Sequence, residues 1–130
     1  MTAMLYVGVA LAGATGAAAR FVLDGVVRAR RRTDVAWAAL PLGTPLVNVT
    51  GSALLGLITG LVLFHGAPQG WQVVAGTGFC GGYTTFSTAV FETVRLAQQH
   101  RVAFAAVNAV TTLALSLLAA GAGLGLAAAI

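Results

Sequence analysis

The stretch GFCGGYTTFSTAVFET, residues 78–93, places a glycine pair and a run of hydroxyl side chains inside an almost wholly apolar segment. Glycine is a poor residue for a helix interior, so the pair Gly81-Gly82 predicts a helix broken near its middle. Backbone without helical bonding persists at membrane depth only where protein or a watery cavity covers it. Broken helices are typical of ion and substrate sites in transporters. The stretch therefore predicts a polar site within a membrane-spanning helix.

Charged residues are scarce in the rest of the chain as well. They make up 8% of 130 residues, whereas an average soluble domain has about 25%. Residues 1–19, 35–91 and 102–130 contain no Arg, Lys, Asp or Glu, and one membrane crossing needs about 20 apolar residues. By length, the first and last windows each fit one membrane crossing, and the middle window fits two. The sequence predicts an all-α, multi-pass integral protein of the plasma membrane, a single domain over residues 1–130 with four transmembrane helices at about 3–23, 42–64, 71–96 and 102–127.

Enzyme chemistry finds little support in the residue types present. The two histidines, His65 and His100, lie in predicted loops, and Cys80 is the single cysteine, so neither a Ser-His-Asp set nor a thiolate metal centre is expected. No glycine-rich phosphate motif follows a strand. No basic segment precedes the first apolar run, so we expect no cleaved signal peptide.

The basic residues of the chain are all arginines, and most lie at helix ends. Four of them, Arg28, Arg30, Arg31 and Arg32, follow the first predicted helix, whereas Arg95 and Arg101 flank the third connection. Cytoplasmic loops carry the excess of Lys and Arg. We therefore expect both basic connections inside and both termini outside, and we expect no nucleic-acid partner.

The second predicted helix carries polar side chains on one face. Thr44, Asn48 and Ser52 are spaced one turn apart in GTPLVNVTGS. An asparagine amide in lipid needs hydrogen-bond partners, so Asn48 either joins two helices or faces a polar path. The pair Gly56 and Gly60 allows close helix packing, either within the bundle or in an oligomer, and the spacing does not decide between them.

The fourth predicted helix carries a similar stripe. Asn108, Thr112 and Ser116 are spaced i, i+4 and i+8, so they share one face of an otherwise apolar helix. Serine and threonine hydroxyls often bond back to their own helix. The alternative is a narrow path for an ion that accepts hydrogen bonds.

Hydroxyl side chains also surround the predicted break, at Thr84, Thr85, Ser87 and Thr88. Phe86 adds a ring whose edge is electropositive. An anion can rest against hydroxyls, amides and such an edge without meeting a full positive charge. The combination favours an anion site.

Three motifs carry a resemblance to a known family: GATGAAARF with Arg20, GTPLVNVTGS with Asn48, and GFCGGYTTFST with Phe86. With them the sequence resembles the CrcB/Fluc family of fluoride channels over essentially its whole length. The resemblance implies an antiparallel dimer with two narrow pores, through which fluoride leaves the cytoplasm passively. It also implies fluoride resistance as the cellular role.

The resemblance implies roles for particular residues as well. Asn48 and Phe86 are expected to line the pores, and Ser87, Thr112 and Ser116 are expected to supply further hydroxyls along the path. A structural sodium ion is expected at the dimer centre, held by the backbone carbonyls of Gly81 and Thr84. The partners implied are fluoride, membrane lipid and a homologous subunit.

Two features depart from the family pattern. The family has a second phenylalanine three residues after the first, where this chain has Ala89, and Phe91 is displaced too far to replace it. The strong charge bias favours one fixed orientation, whereas an antiparallel homodimer requires insertion in both directions. The two departures favour one subunit of a heteromeric channel, and a homodimer that tolerates both is the alternative.

Two other classes of membrane protein remain open. A small four-helix multidrug exporter shares the size and the dimeric habit, but it needs a carboxylate deep in the first helix, and none is present. A structural partner subunit with little conduction of its own would fit the loss of a phenylalanine at Ala89.

Overall fold

The computed structural model describes residues 2–30 and 40–130, which form a series of helices joined by short turns. The elements are α1 (Thr2–Ala29), α2 (Gly43–His65), α3 (Gln69–Trp71), a π-helix (Gln72–Cys80), α4 (Gly81–Tyr83), α5 (Phe86–Gln98) and α6 (Val102–Ala129). Among the described residues, three helices are long and apolar enough to cross a membrane: Ala3–Ala29, Gly43–His65 and Val102–Ala129. The fold is that of a helical membrane protein.

The first helix continues past its predicted end at residue 23 to Ala29. Asp24 and Arg28 lie one turn apart on it and form an ion pair with a 2.6 Å N–O distance. Such i, i+4 pairs stabilise a helix, which explains why polar residues extend α1 beyond its apolar part. Arg31 and Arg32, which belong to the predicted basic connection, lie outside the described residues.

The predicted break at the glycine pair is wrong in its position. Gly81 is helical, with φ −63° and ψ −37°, and α4 runs through both glycines. The chain becomes extended at Thr84 (φ −81°, ψ 162°) and Thr85 (φ −150°, ψ 117°). Glycine lowers helix propensity but does not force a break. The interruption occurs at Thr85, where the side chain of Asn48 is hydrogen-bonded to the backbone N–H and carbonyl.

A second irregularity precedes the break. Residues Gln72–Cys80 form a π-helix of nine residues, which the sequence did not predict. The predicted span at about 71–96 is therefore broken near its middle, at Thr84 and Thr85, and consists of helical segments of different geometry. π-helical turns are found frequently at functional sites.

Small residues bring the helices into close contact within the chain. A Cβ at Gly56 would overlap the Ala120 carbonyl of α6, and one at Gly123 would overlap the Ala53 carbonyl of α2. Gly60 faces Leu124 and Ala127 of α6 in the same way. The GxxxG pair therefore packs inside the bundle, where α2 and α6 run parallel.

This contact predicts a difference in stability between two glycines of α6. Gly123→Ala is expected to lower the midpoint of thermal unfolding in detergent by about 5 °C or more, because overpacking a tight contact costs about 1–3 kcal/mol. Gly121→Ala is the matched control, since a Cβ there meets nothing within 4 Å. Equal melting temperatures for the two variants would contradict the close packing of α2 on α6.

The two ends of the bundle differ in character. At one end, Asp24 and Arg28 of α1, Gly43 of α2, and Glu92 and Arg95 of α5 line a common cavity of about 320 Å³. Arg28 and Arg95, which lie at the first and third predicted basic connections, thus line one cavity at the same end of the described chain. At the other end, Nε2 of His65 lies 2.6 Å from the Ala127 carbonyl oxygen, which joins the ends of α2 and α6.

Candidate functional site

A groove of about 720 Å³ lies between α2, α5, α6 and the segment before the break. Its polar lining residues are Asn48, Ser52, Thr77, Thr84, Thr85, Thr93, Thr112 and Ser116. Apolar side chains such as Leu55, Val90 and Leu113 complete the walls. The groove therefore offers an uncharged, hydrogen-bonding surface within an apolar setting.

Asn48 of α2 holds the backbone at the break. Its Oδ1 accepts a hydrogen bond from the Thr85 N–H at 2.7 Å, and its Nδ2 donates to the Thr85 carbonyl at 2.9 Å. Both backbone polar groups of Thr85 are satisfied by this one amide. Unpaired backbone groups are costly when buried, so these two hydrogen bonds from Asn48 explain how the chain can leave the helix at Thr85.

The Thr85 side chain then starts the next helix. Its Oγ1 accepts a hydrogen bond from the Thr88 N–H at 3.2 Å, which is the N-cap of α5. The same hydroxyl donates to Thr88 Oγ1 at 2.9 Å and lies 3.4 Å from Ser87 Oγ. Thr85 is thus bonded through its backbone to α2 and through its side chain to α5.

The break changes the bonding of the two carbonyls predicted to hold sodium. In a continuous helix the Thr85 N–H would donate to the Gly81 carbonyl, but here it donates to Asn48. Likewise the Thr88 N–H donates to Thr85 Oγ1 and leaves the Thr84 carbonyl. Carbonyl oxygens released in this way are suitable ligands for a hard cation. The residues present fit a sodium ion held by Gly81 and Thr84.

Thr112 and Ser116 of α6 present hydroxyls of a different kind. Both oxygens are buried and have no hydrogen-bond partner among the described residues. Neighbouring threonines behave otherwise, since Thr93 donates to the Ala89 carbonyl at 2.8 Å and Thr111 to the Val107 carbonyl at 2.6 Å. Buried polar groups are nearly always bonded, so these two hydroxyls, which have no partner among the described residues, can donate to a group in the groove.

Asn108, the first member of the predicted polar stripe, takes a different role. It is 2% exposed, and its Nδ2 donates to Thr93 Oγ1 of α5 at 2.9 Å. It does not line the groove, whereas Thr112 and Ser116 do. The stripe therefore divides into one residue that joins α5 to α6 and two that face the groove.

The aromatic ring predicted for the pore lies at the edge of this groove. Phe86 is the first residue of α5, lines the groove and is 84% exposed. Ala89 also lines it, whereas Phe91 is exposed and does not. A single chain thus leaves the ring uncovered on one side.

The structure brings most of the predicted site residues together. Asn48, Gly81, Thr84, Phe86, Thr112 and Ser116 all line the groove. Ser87 is exposed and is not among the lining residues, and its hydroxyl lies toward Thr85. Thr85 was predicted only as one of several hydroxyls around the break, although a threonine directly before a helical segment is a typical N-cap signal.

Comparison with known proteins identifies the family. The family model described as "CrcB-like protein, Camphor Resistance (CrcB)" matches residues 7–124, nearly the whole chain. The chain belongs to the CrcB family. Its place in this family and its long apolar helices make it a multi-pass protein of the plasma membrane.

Curated relatives of this CrcB chain carry a common name. A protein of Leifsonia xyli named "Fluoride-specific ion channel FluC 1" is 53% identical over 126 residues, 97% of this chain and 88% of the relative. "Fluoride-specific ion channel FluC 2" of Cutibacterium acnes is 52% identical over 95 residues, 72% of this chain and 73% of the relative. "Fluoride-specific ion channel FluC" of Thermococcus onnurineus is 41% identical over 110 residues, 83% of each chain.

Proposed function

We propose that this chain is a subunit of a fluoride-selective channel that lets fluoride leave the cytoplasm passively and so lowers its concentration there. The observation that carries the proposal is the pair of buried, unpartnered hydroxyls of Thr112 and Ser116 in the groove at the break. The names of the relatives supply the ion. The role is that of a channel and not of an enzyme.

The groove has the chemistry that a fluoride path needs. Fluoride is small and strongly hydrated, so a pore must replace its water with hydrogen-bond donors that also let the ion leave. The hydroxyls of Thr112 and Ser116 supply donors, and Nδ2 of Asn48 has a second N–H besides the one bonded to Thr85. The edge of the Phe86 ring adds a weak positive field. None of these groups carries a full charge that would trap the anion.

The sodium ion belongs to the proposal as a structural group. The carbonyls of Gly81 and Thr84 would hold it, because the donors that a helix would give them bond elsewhere. A bound sodium ion would supply a fixed positive charge close to the anion path. Asn48 and Thr85 hold the backbone from which these carbonyls project.

The assembly in the proposal is an antiparallel dimer of four-crossing subunits. The segments from Gln69 to Gln98 together provide the crossing between α2 and α6. The exposure of Phe86 supports a second subunit, since the ring and the groove beside it are open on one side of the chain. A facing subunit would close that side and separate the path from lipid.

The partner is proposed to be a different, homologous chain with the opposite loop charge. Ala89 lies in the groove, where it leaves space that a larger side chain would fill. The clustered arginines favour a single orientation for this chain in the membrane. Numbered names among the relatives, such as FluC 2 and FluC 3, fit organisms that encode more than one such chain.

Fluoride efflux from liposomes, followed with a fluoride electrode, tests this function. One sample holds this chain alone, and the other holds it with a homologous chain of opposite loop charge from the same genome. We expect no fluoride efflux from liposomes with this chain alone and clear efflux from liposomes with both chains. Efflux from the chain alone would support a homodimeric channel and refute the heteromer. No efflux from either sample would refute the proposed channel function.

A structural subunit with little conduction of its own is the second candidate, and Ala89 is the observation that favours it. The variant Phe86→Ile separates the two functions. If Phe86 lines a conducting path, the variant should lower fluoride efflux of the assembled channel by about tenfold or more, because the ring edge is lost while apolar volume is kept. Phe91→Ile, at an exposed position outside the groove, is the control. Unchanged efflux in both variants would favour the structural role.

A further inference from the structure

Thr85 connects hydrogen-bonding groups on both sides of the break. Asn48 of α2 is bonded to its backbone at 2.7 and 2.9 Å. Thr88 and Ser87 of α5 approach its hydroxyl at 2.9 and 3.4 Å. The residue is 8% exposed, so these contacts are made inside the protein and not in competition with solvent.

The direction of each bond shows what the Thr85 hydroxyl does. It accepts the Thr88 N–H, which fixes the first turn of α5, and it donates to Thr88 Oγ1, which fixes the rotamer of that side chain. Phe86 is the first residue of the same turn. A first turn without its N-cap frays more readily. The position of the Phe86 ring therefore depends on the Thr85 hydroxyl, which is bonded to Thr88 in that turn.

The backbone bonds add a second constraint. Because Asn48 is bonded to both polar groups of Thr85, the amide cannot rotate without releasing the break. The first turn of α5 and the amide of Asn48 are thus linked by hydrogen bonds through Thr85. One residue sets the relative positions of an amide on α2 and a ring on α5.

We propose that Thr85 is a positioning residue for the anion path: its hydroxyl holds Phe86 and Thr88 in register with Asn48, so that the path is formed before an ion enters. This role rests on the proposed fluoride channel. It assigns Thr85 no contact with the ion. The Thr85 side chain acts through the residues that it fixes.

Three variants of the full chain, assembled as for the efflux assay, test the role. Thr85→Val keeps the shape of the side chain and removes the hydroxyl, whereas Thr85→Ser keeps the hydroxyl. Thr111→Val is the matched control, because Thr111 is exposed and bonds only within α6. Fluoride efflux and amide hydrogen exchange over residues 85–89 are measured for each variant.

We expect Thr85→Val to lower efflux about tenfold and to speed exchange in the first turn of α5 by a similar factor, which corresponds to the loss of one N-cap bond. Thr85→Ser should retain both properties close to the unmodified protein, and so should Thr111→Val. Normal efflux in Thr85→Val, or an equal loss in Thr85→Ser, would overturn the proposal.

The two readouts separate this inference from the function beneath it. If the unmodified assembly passes no fluoride, the proposed function fails, and the exchange comparison still decides whether the hydroxyl holds the turn. If the unmodified assembly conducts fluoride and the amides of residues 85–89 exchange as slowly in Thr85→Val as in Thr85→Ser, the channel function is supported and the positioning role of Thr85 is refuted.

Discussion

Replacing Asn48 by aspartate is expected to lower fluoride efflux by about a hundredfold or more. The carboxylate keeps an acceptor for the Thr85 N–H but loses the Nδ2 donor to the Thr85 carbonyl, so two acceptors then face each other. It also places a negative charge beside the anion path. Like charges about 4 Å apart repel by about 4 kcal/mol at an intermediate dielectric constant, and about 1.4 kcal/mol corresponds to tenfold in rate.

The measurement is efflux from liposomes with a fluoride electrode, with the amount of incorporated protein determined for each sample. Gln98→Glu is the matched control, since it makes the same change from amide to carboxylate on the exposed end of α5. It should conduct like the unmodified protein. Efflux that survives in Asn48→Asp within about threefold would show that Asn48 joins the helices without taking part in the path.

The double variant Thr112→Val, Ser116→Ala is expected to change stability and efflux in opposite directions. Both hydroxyls are buried and have no partner among the described residues. A buried polar group without a partner lowers the free energy of unfolding by about 1–3 kcal/mol, so we expect the double variant to melt at a higher temperature. Fluoride efflux should fall by about tenfold or more, because two donors that replace the water around the ion are gone.

Thr111→Val provides the comparison on the same helix, since its hydroxyl is exposed and bonds to Val107. Efflux from this control should be unchanged. A double variant that melts at a lower temperature would show that the two hydroxyls are bonded in the native protein. Unchanged fluoride efflux together with a raised melting temperature would show that the two hydroxyls do not contribute to the fluoride path.

Much of the architecture was predictable because charge is so sparse. The uncharged windows located the apolar spans, and Gly66, with φ 64°, follows the last residue of α2, close to its predicted end at residue 64. The end of α1 was less predictable, because the Asp24–Arg28 pair extends the helix past its apolar part. The π-helix that ends at Cys80 has no signal in the local sequence.

The break shows most clearly where local reasoning fails. Glycine propensity placed it at Gly81-Gly82, whereas the amide of Asn48, 37 residues away in the chain, fixes it at Thr85. A contact of that separation cannot be read from the spacing of residues along one segment. The cap formed by Thr85 and Thr88 is local, and the pattern TTFST contains it.

The polar residues of the site were easier to find than to separate. Spacing placed Asn108, Thr112 and Ser116 on one face of α6, and all three are partly or wholly buried. Only the structure shows that Asn108 is bonded to Thr93 and that the other two hydroxyls remain without a partner. Periodicity identifies the face of a helix, but the bond partners depend on which neighbour reaches it.

The side opening of the groove at Phe86 has a consequence for how the protein becomes active in a cell. In the proposed assembly a newly inserted, solitary chain is only half of a conduit, and the membrane stays sealed around it. Permeability then begins when two chains meet by diffusion in the plane of the bilayer. At low surface density, while most chains are still solitary, permeability should rise with the product of the two chains' densities and not with either alone.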